Sequence, residues 1–129
     1  MIKFSGFADE AGSDIDTQIK ATKELGWNAI DLRFINGVNA TDVDDAIFEQ
    51  IAKKLKENGI TVPCFGSAIG NGKDPLNSAD VEYCFAALGR AIPRMKKLGT
   101  KYIIGMAFVY HTELSCEENE KLIFPIMKK

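Results

Sequence analysis

Three times along this chain a Lys-bearing helix tail runs into a glycine and then into a short apolar segment: KELGWNAIDLR from Lys23, KENGITVPCF from Lys56 and KKLGTKYIIGM from Lys96. Basic side chains suit the negative end of a helix dipole, and a glycine just past the last turn takes the left-handed conformation that closes the helix. Gly26, Gly59 and Gly99 therefore mark three helix-to-strand junctions. Links this short, repeated along a chain, lay strands side by side with helices as right-handed crossovers. The expected class is α/β with a parallel sheet.

The 129 residues form a single domain, large enough to bury roughly two thirds of the surface of the unfolded chain. A formal net charge of −2 offers no electrostatic footprint for nucleic acid or an anionic membrane. The opening MIKFSGFADE has no basic leader with an apolar core, and no apolar run nears the roughly 18 residues of a membrane span. A cytoplasmic protein without a membrane partner is expected. Cys64, Cys84 and Cys116 are odd in number and lack metal-ligand spacing, so reduced thiols are expected rather than a disulfide framework or zinc knuckle.

In chain order, Ile2 to Phe7 predicts the first strand and Ala8 to Gly12 a polar loop, with Ser13 and Asp16 as a capping pair before a helix that presents Ile15, Ile19, Thr22 and Leu25. Trp27 to Arg33 predicts the second strand, followed by a loop with Asn36, Gly37 and Asn39. Thr41 and Asp44 signal the next helix, with Val43, Ile47, Ile51 and Leu55 every four residues. Ile60 to Phe65 predicts a third strand, and Pro63, which has no N–H for the ladder, predicts a bulge within it. The glycine-rich loop Gly66 to Asn77 follows that strand's C-terminal end and is a candidate ligand loop. Ser78 or Asp80 caps a helix with Val81, Cys84, Phe85, Leu88, Ile92 and Met95 as its apolar stripe and a kink expected at Pro93. Tyr102 to Tyr110 predicts a fourth strand, and Ser115 with Glu118 a capping box before a last helix. Four strand-then-helix units result, about half of what a barrel of roughly 250 residues requires.

The faces of the second strand choose between α/β architectures. Ile30 and Leu32 share the side covered by helices, which leaves Ala29, Asp31 and Arg33 on the other. In an open doubly wound sheet those two charges would sit under a helix at a desolvation cost of several kcal/mol. In a barrel the same face is the interior, whose C-terminal end is the substrate mouth. The same alternation turns Val62 and Cys64 to the helices and Phe65 and Ser67 to the mouth. Asp9 and Glu10 follow the first strand, and His111 and Glu113 the fourth. A structural ion pair between Asp31 and Arg33 remains the alternative to substrate binding, as a solvated loop does for Asp9 and Glu10 and a surface hydrogen bond for His111. Ser67 has no base within its motif, so nucleophilic catalysis finds no support.

FSGFADE (Phe4 to Glu10), KELGWNAIDLR, CFGSAIG (Cys64 to Gly70) and LGTKYIIGM (Leu98 to Met106), in that order, resemble the N-terminal half of the sugar phosphate isomerase/epimerase family of xylose isomerase-like TIM barrels. The resemblance implies a parallel (β/α)4 half of a TIM barrel, completed through self-association into a homo-oligomer across its open face. It implies an isomerase or epimerase that moves a proton next to a sugar carbonyl with a divalent metal, on a carbohydrate or sugar phosphate. It places Glu10, Asp31, Arg33 and Ser67 at the substrate mouth, with Asp31 where many members carry Glu, and His111 near a metal-binding or polar position. Most of the family's metal carboxylates lie on later strands, so the chain is expected to be truncated and inactive as a lone monomer. The alternative is a non-catalytic binding module for a small polar or phosphorylated ligand. A receiver-like signalling domain would need an Asp at the end of the third strand, where this chain has Phe65-Gly66-Ser67.

Overall fold

The structure, a computed structural model, describes residues 4–129. A short 3-10 turn (Ala8–Glu10) precedes helix α1 (Ile15–Glu24), an antiparallel pair β1 (Phe34–Ile35) and β2 (Val38–Asn39), helix α2 (Asp45–Glu57), strand β3 (Cys64–Gly66), the long helix α3 (Ser78–Leu98), strand β4 (Tyr102–Ile104) and helix α4 (Cys116–Met127). Strands β3 and β4 are parallel, with Cys64 opposite Tyr102, Phe65 opposite Ile103 and Gly66 opposite Ile104. The segment 27–33 lies parallel beside 61–66 through bridges at Ala29–Thr61 and Leu32–Phe65. On its other side the Asp31 N–H donates to the Gly6 carbonyl (2.9 Å). Three extended segments thus stand in chain order as a small, irregular parallel sheet with helices between them, and the segment 4–7 lies beside the first of these through that one bond. The described residues form no closed barrel.

The three junction glycines all take the left-handed conformation, with φ of 73° at Gly26, 68° at Gly59 and 70° at Gly99. Other boundaries differ from expectation. The first strand, expected over Ile2 to Phe7, falls partly outside the described residues, and Phe4 to Phe7 carry no strand ladder. Asp14, not Ser13, caps α1: its carboxylate accepts from the Thr17 N–H (2.9 Å) and hydroxyl (2.7 Å). The expected loop after Arg33 is a two-residue hairpin, because Asn36 and Gly37 (φ 50° and 79°) supply the consecutive left-handed residues a primed turn requires. Asn77 caps α3 by accepting from the Ala79 N–H (3.0 Å), and the helix runs unbroken through Pro93. The Ser115–Glu118 capping box forms as expected. β4 stops at Ile104, and the expected continuation to Tyr110 is irregular, with Phe108 at φ 65°.

The core lies between one sheet face and the helices: Ile30, Leu32, Val62 and Phe65 pack with Ile15 and Ile19 of α1, Phe48, Ile51 and Leu55 of α2, and Ala91 of α3. An every-four spacing drifts around a helix of 3.6 residues per turn, so Phe48 takes the inward place that Val43-Ile47-Ile51 spacing had assigned to Ile47, now 48% exposed. In α3 the buried side is Cys84, Ala87, Ala91 and Arg94, not the larger stripe that includes Phe85 and Ile92. Small residues there let the helix approach closely, and the buried Arg94 guanidinium ties it to the start of α2, donating to the Ala40 and Val43 carbonyls (both 2.7 Å) and to Asp45 (2.6 Å).

The bend at Pro63 has the largest consequence for the site. Val62 and Phe65 both lie in the core, so the alternation slips by one position between them. Cys64, expected under the helices, is half-buried on the opposite face, and Phe65, expected at the mouth, is fully buried. A proline without an N–H cannot hold the ladder register, and the chain bends there until Cys64 resumes it. The face away from the helices therefore carries Asp31, Arg33, Cys64, Tyr102 and Ile104, none of which belongs to the core, and Tyr102 is 71% exposed. Among the described residues no helix is long and apolar enough to cross a membrane, and all three cysteines are free.

Candidate functional site

Parallel segments deliver their following loops to one end of the sheet, and there the charged residues gather. Arg33 leaves the end of the second segment and meets the 3-10 turn that follows the first. Its Nε donates to Asp9 (3.0 Å to Oδ2) and its NH2 group reaches Asp9 (3.0 Å) and Glu10 (3.3 Å). The guanidinium lies over the Phe7 ring, 4.0 Å from its centroid, with Phe34 at 5.6 Å. Aromatic faces attract a weakly hydrated cation that bidentate carboxylates also hold. The chain folds this way locally because the acidic pair sits in the first turn after the first segment, within reach of the adjacent strand's end. The alternative reading of an Asp31–Arg33 ion pair is not seen; Arg33 instead joins a cluster with Asp9 and Glu10.

Asp31 is left without that partner. One of its carboxylate oxygens, Oδ1, is buried and makes no hydrogen bond; among the described residues the other such side-chain atom is Thr41 Oγ1. The Cys64 thiol, on the same sheet face, has its pKa pushed up, first by burial and then by the Asp31 charge. Gly66 shapes the same spot: a Cβ built there would lie 2.8 Å from Arg33 Cβ, so glycine permits the close approach of the two strand ends. An unpaired buried carboxylate oxygen costs free energy in an isolated fold, and a donor brought from outside recovers it.

Ser67 is buried rather than projecting into a mouth. Its hydroxyl donates to the Ile104 carbonyl (2.5 Å) and accepts from the Ile69 N–H (3.3 Å), fixing the start of the 66–77 loop against the end of β4. That loop is held further by Gly70, discussed below, and by His111. The His111 ring bonds Asp74 through Nε2 and Glu113 through Nδ1 (2.9 Å each), while its backbone N–H donates to Asn119 (2.9 Å). Glu10 and Arg33 are thus in direct contact, Asp31 neighbours them along the strand, and His111 belongs to a separate cluster. Asp74 is the partner that reading the sequence did not single out, and for Asp9, noted after the first strand, the pairing with Arg33 was not read, since the mates lie 37 and 24 residues away; only the loop's position after a strand end pointed to Asp74.

The His111 clamp predicts a pH dependence. Hydrogen bonds donated to Asp74 and then to Glu113 raise the histidine pKa above its ordinary 6.5, while Asp74 is lowered, first by the Leu76 N–H and then by His111. A raised histidine contributes stability in full below its unfolded value, lost as pH rises through its folded one; a lowered carboxylate contributes above its unfolded value, lost on acidification. The loop's contribution is therefore greatest in mildly acidic solution and declines on the alkaline side of 6.5. Thermal unfolding followed from pH 5 to 9 should show that decline, and His111→Gln should flatten it; an unchanged slope in the variant contradicts the clamp.

The divalent metal implied by the resemblance finds no fitting donor set here. Among the described residues no group of three or more His, Cys, Asp or Glu side chains is placed to hold an ion, and both His111 nitrogens are already on carboxylates. No step of a reaction is routed through a metal on these residues.

No protein-family model matches the chain, and no curated protein sequence matches it. Among solved structures, the crystal structure of a D-psicose 3-epimerase in the presence of D-fructose superimposes with a TM-score of 0.64 at 18% identity, covering 98% of this chain and 46% of that one. The chain therefore spans about half the length of that structure. At this identity the likeness is one of fold: an α/β arrangement with a small parallel sheet, similar to part of that structure.

Proposed function

We propose that this chain is a (β/α)4 half of a sugar isomerase- or epimerase-like barrel, a cytoplasmic protein whose C-terminal sheet end binds a carbohydrate. Asp31 is the principal acceptor for a sugar hydroxyl, Arg33 and Glu10 flank it, and Ser67 sets the rim by holding the loop. The observation that carries this reading is the half-buried Asp31 outside the core, whose enclosed Oδ1 has no hydrogen-bond partner among the described residues. The solved sugar epimerase of related fold supports a carbohydrate ligand. By itself the monomer binds without turnover, since the described residues group no metal-ligand set that would polarise a sugar carbonyl. Self-association across the open face supplies the missing wall of the site. His111 is assigned to the loop clamp in the monomer, and a metal role for it requires donors from the completing half.

Thermal unfolding in D-fructose tests the reading. The wild-type chain should be stabilised in proportion to sugar concentration, as linkage requires for a ligand of the native state. Asp31→Asn should keep or raise the melting temperature without sugar, because it removes an uncompensated charge, and should lose the response to sugar. Equal stabilisation of both proteins, or of neither, contradicts the assignment. Turnover of D-fructose by the purified monomer with added divalent metal contradicts its inactivity.

A further inference from the structure

We infer that Asp9 and Glu10 form a charge-selectivity element that makes this end of the sheet accept an uncharged polyol and reject a phosphorylated one; the inference rests on the sugar-binding reading above. A sugar phosphate needs a cation with free donors and a local field that favours a dianion. Arg33, the cation two residues beyond Asp31, lacks that field. Asp9 engages both its Nε and NH2 groups and Glu10 adds a second carboxylate (3.0 to 3.3 Å), so one positive charge is overmatched by two negative ones. The face of the guanidinium lies against the Phe7 ring, 4.0 Å from its centroid.

Three further cations, on the loops after β3 and β4 and on α3, are also held by carboxylates. Lys73 is held by Asp80 (3.2 Å) and lies 4.4 Å from the Tyr83 ring centroid. Arg90 is held by Asp42 (2.5 Å), and His111 sits between Asp74 and Glu113. Asp31 adds a carboxylate whose Oδ1 has no hydrogen-bond partner among the described residues. A phosphate arriving here meets carboxylates already occupying the basic groups, and like charges brought together oppose binding strongly. A neutral polyhydroxy ligand meets no such penalty, and its hydroxyls donate to carboxylate acceptors such as the half-buried Asp31.

Binding of D-fructose and of D-fructose 6-phosphate to the full chain, each followed by backbone amide NMR shifts at Gly6, Asp31 and Arg33, tests the inference. The wild type should bind the neutral sugar at least about tenfold more tightly than the phosphate. Glu10→Gln, an exposed change, and the double variant Asp9→Asn/Glu10→Gln should each narrow that ratio, the double variant more, and the double variant should gain shifts at Arg33 with inorganic phosphate alone. Equal or tighter binding of the phosphorylated sugar by the wild type overturns the inference while leaving the sugar-binding reading in place. An unchanged preference in both variants removes the role of Asp9 and Glu10. Binding of neither sugar by the wild type overturns the sugar-binding reading and this inference with it.

Discussion

Replacing Phe65 by alanine is expected to lower stability by about 4 kcal/mol, within the range for large-to-small changes of fully buried aromatic side chains. Its ring has no exposed surface and packs in the cluster shared by Leu32, Val62 and Leu55. Cys64→Ala, one residue earlier on the half-buried opposite face, should change stability by well under about 1 kcal/mol. The pair is a direct test of the slip at Pro63. A ring that faced the mouth, as unbroken alternation through the third strand demands, would give a small effect at Phe65 and a larger one at Cys64. Urea unfolding of the two variants, compared at equal m-value, separates the cases. If the order of the two effects is reversed, the face assignment of Asp31 falls with it, since Cys64 marks the same side.

Gly70→Ala is expected to cost about 3 kcal/mol, combining a left-handed backbone with an overpacked contact. Gly70 has φ 74°, and a Cβ there would lie 2.0 Å from the Met106 carbonyl oxygen, a backbone atom that cannot swing aside. The Met106 N–H donates to the neighbouring Ile69 carbonyl (2.8 Å), so the loop after β3 is stitched to the segment after β4 at this point. Gly72→Ala provides the control: its φ of 61° is similarly left-handed but its Cβ meets nothing, and about 1 kcal/mol is expected from backbone conformation alone. The difference between the two variants in urea unfolding isolates the close approach. Equal costs at the two glycines would show that the loop does not pack on the segment 105–108.

Those two positions also show where the sequence was legible. Junctions at Gly26, Gly59 and Gly99 were readable because helix tail, left-handed glycine and apolar segment are local signals, each satisfied within a few residues. The Ser115–Glu118 box was readable for the same reason. The opposed chemistry of Ile30 and Leu32 against Asp31 and Arg33 correctly placed the core. What resisted reading depended on partners distant along the chain. Arg33 has its carboxylates 23 and 24 residues upstream, and strict alternation pointed to Asp31 instead. Pro63 announced a bulge, but the number of residues it would displace, and hence the side on which Cys64 and Phe65 emerge, is decided by the neighbouring Leu32 and Ile103. The end of β4 at Ile104 was hidden because Ile104 to Tyr110 is apolar throughout most of its length; no flanking strand pairs beyond Gly66, and the segment turns to meet Ile69 and Lys73 instead. In the helices, a stripe of large side chains predicted burial where small ones, Ala87 and Ala91, permit closer packing.

The open face gives these pieces one physical consequence. β4 pairs with β3 on one side, Tyr102 at its start is 71% exposed, and Met106, Val109 and Tyr110 beyond it are also exposed. At the other edge of the sheet Phe4 is 61% exposed. A sheet edge and apolar side chains in contact with water favour pairing with another chain.

The solution mass of the purified chain over rising concentration, by sedimentation equilibrium, tests this most directly. The account predicts a reversible shift from the 14.2 kDa chain towards twice that mass, weakened by Tyr102→Lys at the exposed end of β4. A folded chain that keeps the monomer mass up to millimolar concentration, with the Tyr102 variant indistinguishable from it, would contradict an unfinished face as the organising feature of this molecule.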